Sequence, residues 1–145
     1  MLRTAIACAL LMLAAASARA TEVVVVLEGI ESNSGEVQID VFGEAHAATF
    51  PYSERGVLIE LRVRASAVVA RGAAISLGEF TPGRYALFAM HDANGDLDLN
   101  FLGIPIESYG FSNDAKGTVG PPSFDAAAVE VKGDVPTRIV IRLAH

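Results

Sequence analysis

Apolar and polar side chains alternate with a period of two along much of the chain after residue 20. In residues 57–63, Val57, Ile59, Leu61 and Val63 fall on one side, while Glu60, Arg62 and Arg64 fall on the other. Residues 139–143 repeat the pattern, with Ile139, Ile141 and Leu143 inward and Arg138 and Arg142 outward. Val37, Ile39 and Val41, separated by Gln38 and Asp40, predict a third half-buried strand. Successive side chains of an extended chain point to opposite faces, so this rhythm in Val-, Ile- and Leu-rich runs specifies strands. Residues 23–27 are apolar throughout and predict a strand covered on both sides. No stretch carries a helical period over ten or more residues, although residues 65–74 have room for a short helical turn.

Turn residues divide these runs. Asn33-Ser34-Gly35 predicts a tight connection between the first two strands, and Thr81-Pro82-Gly83 separates 75–77 from 85–90. Lys132-Gly133-Asp134 precedes the final strand. The expectation is an all-β domain, a single antiparallel β-sandwich of about seven strands with a transthyretin-like or immunoglobulin-like arrangement. A seven-stranded barrel would give nearly the same string. Two stretches break the rhythm: residues 43–56, and a segment from 92 to about 124 that predicts a long ordered insertion before the last two strands. Phe101, Leu102, Ile104, Tyr109, Phe111 and Phe124 supply that segment with apolar anchors, so disorder does not suit it.

The first twenty residues read differently. Arg3 precedes an apolar run over residues 5–16, and Ala18-Arg19-Ala20 is a small-x-small cleavage site. This is the grammar of a secretory signal peptide, too short to span a bilayer comfortably. The expectation is a signal peptide over 1–20, one domain over 21–145, and a periplasmic or secreted location with no membrane span after cleavage. Removal of Arg3 and Arg19 leaves 9 basic against 17 acidic residues, moving the formal charge from −6 to −8. That excludes nucleic acid as a main partner. Cys8, the only cysteine, falls inside the signal, so a mature domain of about 125 residues relies on core burial without disulfides.

Candidate chemistry gathers in the long segment. Asp92, Asn94, Asp96, Asp98 and Asn100 place oxygen-bearing side chains at every second position, as a loop wrapped around calcium would. An EF-hand-type loop counted from Asp92 would need Gly at position 97 and Glu at 103, where Leu97 and Gly103 stand. The alternative is a turn at Asn94-Gly95 whose side chains hydrogen-bond their own backbone. His91 and Asp92 are neighbours on a strand and point apart, and His46 and His145 have no ligand-like spacing to them. Gly110-Phe111-Ser112-Asn113-Asp114 departs from a serine elbow at its fifth position, and no phosphate-cradling or dinucleotide fingerprint is present. Tyr109, Phe111 and Phe124, with His91 and Asn113, form a candidate surface for a small molecule, a carbohydrate or an envelope protein; the aromatics would equally plug the open end of the sandwich.

The runs Tyr85-Ala86, Met90-His91-Asp92, Asn94-Gly95, Leu97-Asp98, Asn100-Phe101, Gly103-Ile104-Pro105, Tyr109 to Asn113 and Gly120-Pro121-Pro122-Ser123-Phe124 resemble domain-of-unknown-function family 2141. Pro82-Gly83-Arg84-Tyr85 is also similar, at the level of fold, to an element of transthyretin-like and collagen-adhesin B-type sandwiches. The resemblance implies an exported bacterial β-sandwich and no established activity. In the family pattern the acidic loop is longer between its first Asp and the Leu-Asp pair, so here fewer positions remain to surround a cation. Three roles are left: a non-catalytic binding or accessory module using the 92–124 face, a small hydrolase using Asp92, Asp96 or Asp98 as acid and base, and a structural subunit of an envelope assembly.

Overall fold

The computed structural model describes residues 19–101 and 104–145. The expected signal peptide lies, over residues 1–18, outside the described residues. The elements run β1 (Thr21–Glu28), β2 (Glu36–Gly43), β3 (Ile59–Arg64), α1 (Ala65–Ala70), β4 (Ala74–Phe80), β5 (Gly83–Asp92), β6 (Asn100–Phe101), β7 (Ile104–Pro105), β8 (Ser108–Phe111), α2 (Phe124–Ala127), β9 (Val129–Val131) and β10 (Thr137–Arg142). The chain is all-β. No described helix is long and apolar enough to cross a membrane.

Two sheets share one core. The smaller has the order β10-β1-β4, and the larger has β3-β2-β5-β8 with β9 also paired to β5. Val23, Val25 and Leu27 of β1 meet Val37, Ile39 and Val41 of β2, Leu87 and Ala89 of β5, and Ile139 and Ile141 of β10 in that core. These are the inward positions of the period-two pattern, and none is more than 3% exposed. The helical turn anticipated in residues 65–74 is α1, which contributes Ala65 and Val68 to the core.

The structure departs from the expectation in three places. β1 and β10 are parallel, with Val25 opposite Ile139, so the sandwich is not antiparallel throughout. The Asn33-Ser34-Gly35 connection carries the chain from one sheet to the other and closes no hairpin, because β1 and β2 are not paired. Gly35 has φ +71°, and a Cβ there would strike the Asp92 carbonyl, so the turn lies directly against the end of β5. β1 itself is covered fully on one face only: Val24 and Val26 are half-buried.

The larger sheet is covered by the smaller one on its inner face and over part of its outer face by a second layer. Its outer face carries Phe42, Ala86, Phe88, Met90 and Phe111, which pack with Phe50, Phe124 and Ala127 into a second apolar cluster. Phe50 stands edge-on to Phe42, with centroids 5.1 Å apart, and also meets Phe111 and Phe124. The aromatics of the long segment thus supply a roof for the sheet. They are joined by the connection after β2, which contains short 3₁₀ turns at Glu44–His46 and Ser53–Arg55.

β5 is bordered on one side by two strands in succession, β8 against residues 88–91 and β9 against 83–85. Between them the Leu87 amide has no strand partner and donates instead to Ser112 Oγ at 2.9 Å, while that hydroxyl donates to the Ala127 carbonyl at 2.6 Å. Ser112 is fully buried. Replacing Ser112 by Ala strands a buried donor and a buried acceptor, and should lower unfolding free energy by about 1–3 kcal/mol in a denaturant titration. Ser112→Thr, which keeps the hydroxyl, should recover part of the loss.

Candidate functional site

Strand alternation gives the outer face of the larger sheet two adjacent cross-strand rows. The register places Arg62, Gln38, Met90 and Tyr109 side by side, and next to them Glu60, Asp40, Phe88 and Phe111. The aromatic roof covers one part of this face and stops short of the rest. The remainder is a groove of about 1150 Å³ floored by Gln38, Asp40, Phe88, Met90, Tyr109 and Phe111. One wall is residues 51–54, the other residues 114–117 and 120–122, and Leu97 and Leu99 of the acidic loop close an end.

Asp40 is the unusual group in this groove. It is 1% exposed, and both its carboxylate oxygens accept from Gln38 Nε2, at 3.1 and 2.9 Å. Burial pushes its pKa above the ordinary carboxylate range; the Gln38 and Ser53 hydrogen bonds oppose that shift, and the charge of Glu60 adds to it. The period-two pattern had marked Asp40 only as outward. It is outward from the sandwich core, yet it is buried, with Ser53 from the connection after β2 hydrogen-bonded to its carboxylate.

The acidic loop folds on itself. Asp92, 2% exposed, accepts from the Gly95 amide at 2.7 Å through Oδ1 and from the Leu97 amide at 3.0 Å through Oδ2. Asn94 Oδ1 accepts from the Asp96 amide, Asn94 Nδ2 donates to Asp96 Oδ2, and Asp96 Oδ1 accepts from the Asp98 amide. These are the self-bonded turns of the alternative reading. The loop also brings carboxylate oxygens of Asp92, Asp96 and Glu107 within 4.8 Å of one another. Glu107 is 6% exposed, and its Oε2 accepts from the Ala93 amide at 3.2 Å. Asp98 is not among the carboxylates of this cluster, Asn94 meets it only through its bond to Asp96, and only the backbone of Asn100 is described. Glu107 was invisible to a pattern of alternate positions because it arrives from the far side of the β6–β7 hairpin.

The remaining candidates separate. Tyr109 and Phe111 line the groove, whereas His91 is buried with Nε2 2.9 Å from the Ser34 carbonyl. Phe124 is in the roof, and Asn113 donates to the Ala126 carbonyl beside it. His91 and Asp92 do point apart, one to the β1–β2 turn and the other into the acidic loop.

The chain is a β-sandwich whose larger sheet carries a second apolar layer and, beside it, a groove lined by both apolar and polar side chains. The family model described as an uncharacterized protein conserved in bacteria, DUF2141, matches residues 25–139, and the chain belongs to that family. No curated protein and no solved structure matches it.

The raised pKa of Asp40 fixes the sign of a pH effect. Below the ordinary carboxylate pKa of about 3.9 the side chain is protonated in both folded and unfolded chains, and the folded state carries no burial penalty. As pH rises through the folded-state value that relative stability is lost. Asp40→Asn should therefore gain stability over the natural protein as pH increases from that range toward neutrality, and thermal melts across the interval check it.

Proposed function

We propose that the chain is an exported, non-catalytic binding module that holds a neutral, hydroxyl-rich ligand, a carbohydrate fragment, in the groove over the larger sheet. Export rests on the pattern of residues 1–20. The groove reading rests on one observation: its charged lining balances on an otherwise acidic chain. Asp40, Glu54 and Asp114 face Arg62, Lys116 and Arg142 around the same cavity, whereas the whole chain carries a formal charge of −6. A groove without net sign favours neither anions nor cations. Its apolar floor, formed by Phe88, Met90 and Tyr109, suits the C–H face of a sugar, and the planar amide of Gln38, held in place by the buried Asp40, suits hydroxyls.

The test is a titration of the purified chain, followed by NMR, with neutral sugars, acidic sugars and alkyl amines. Neutral sugars should shift the resonances of Met90 and Tyr109. Asp40→Asn should bind comparably, while Asp40→Leu should lose roughly tenfold in affinity, about 1.4 kcal/mol. A preference for amines that Asp40→Asn abolishes would replace the neutral ligand with a cation, and silence from every class at millimolar concentration would remove the reading.

A second proposal concerns the loop at the end of the groove. The convergence of Asp92, Asp96 and Glu107 supports a hard cation such as calcium bridging the two arms of the segment, three oxygens of the six to eight calcium takes. Leu97 and Leu99 lie between those arms, so such an ion would fix a wall of the groove. Calcium at ten times its dissociation constant should stabilise the fold by about 1.4 kcal/mol and raise the melting temperature. Chelator should reverse the rise and Glu107→Gln should abolish it; a melt indifferent to calcium removes the ion.

A further inference from the structure

Of the two strands that end the sheets on the α1 side of the sandwich, one is defended and the other is not. β4 pairs with β1 through a register shift at Val23/Val24 and bends at Gly78, φ +89°, irregularities that spoil an edge for further pairing. On the opposite side the sheets are stitched together by the bridge between Tyr109 and Ala144. β3 is different. It runs in unbroken register with β2 from Ile59 to Arg64, contains no Pro, Gly or Lys, and has no strand on its other side among the described residues.

The hydrogen-bond phase of that edge can be read. The Ala65 amide donates to the Gly35 carbonyl, and the register continues from that pair, so Ile59, Leu61 and Val63 direct their backbone groups at β2. The intervening residues, Glu60 and Arg62, direct theirs away from it. The side chains of Ile59, Leu61 and Val63 are only half-buried, although they pack on the main core.

We propose that β3 pairs antiparallel with β3 of a second copy of this chain, about a two-fold axis at Leu61. That axis sets Glu60 opposite Arg62 of the other copy, in hydrogen-bonded pairs that use the outward amides and carbonyls of both. It sets Ile59 opposite Val63, and Leu61 opposite its own equivalent. Within one chain Arg62 Nη2 already lies 2.9 Å from Glu60 Oε1. Pairing would join the two ion pairs into a ring of alternating charge, with like charges never directly opposed. The surface is self-complementary in charge, apolar pairing and backbone phase, as an isologous contact must be. Because Arg62 also lines the groove, the dimer would bring Glu60 of one copy to the groove rim of the other.

Analytical ultracentrifugation of the purified chain, from about 1 µM to about 1 mM, should show a reversible monomer–dimer equilibrium of the weak kind that small interfaces give. Glu60→Pro removes an outward amide without touching the β2 ladder and should leave a monomer with an unchanged circular dichroism spectrum. Glu60→Arg opposes two arginines and should weaken association at least tenfold, while the exchanged pair, Glu60→Arg with Arg62→Glu, should restore it. A natural chain that stays monomeric over that range overturns the proposal. So does a dimer that Glu60→Pro leaves intact, or a Glu60→Arg defect that the exchanged pair fails to repair.

Discussion

Both faces of the two central strands, β2 and β5, must be covered, and the rest of the molecule is arranged to meet that constraint. Val37, Ile39 and Val41 of β2 and Leu87 and Ala89 of β5 are buried against the smaller sheet; the even-numbered residues of the two strands include Phe42, Phe88 and Met90, too large and apolar to face water. The residues that cover this second face come from the two stretches lacking strand rhythm, through Phe50 and Phe124, and from Ala127 just beyond the second. Ion pairs from Arg84 to Glu44 and Asp125 hold the two covering stretches together at the surface. Exposed pairs of this kind contribute little, and the apolar contacts beneath them dominate.

The cover is incomplete, and its edge is where the candidate chemistry lies. Asp40 sits one position along β2 from Ile39, shares a face with Phe42, and is sealed in at the margin of the aromatic cluster. Its carboxyl is held by the Gln38 amide on the same strand and face. The acidic loop ends this margin, and the two amides accepted by Asp92 determine where Leu97 and Leu99 stand.

Strands β2, β3, β5 and β10, the helical turn α1 and the self-bonded turn at Asn94-Gly95 were legible from side-chain alternation and turn chemistry alone. Partnership was not. Periodicity states which side of a strand is buried and is silent on which neighbour it pairs with, so the parallel β1–β10 pair and the sheet-to-sheet crossing at Gly35 could not be read. Nor does alternation distinguish a polar side chain facing water from one facing a second layer, which is why Asp40 passed as an ordinary outward residue. Glu107 was missed for a related reason: its place beside Asp92 is set by a hairpin, and separation along the chain gives no hint of it.

The hydroxyl of Ser112 has a consequence for how this architecture tolerates change. By standing in for one rung of the ladder, it lets the neighbour of β5 be two short strands with a long excursion between them. Length and composition within residues 115–123 can then vary without disturbing any rung of the sheet below. The same scaffold can carry differently shaped canopies, and related chains could diverge in what they recognise while keeping a common base.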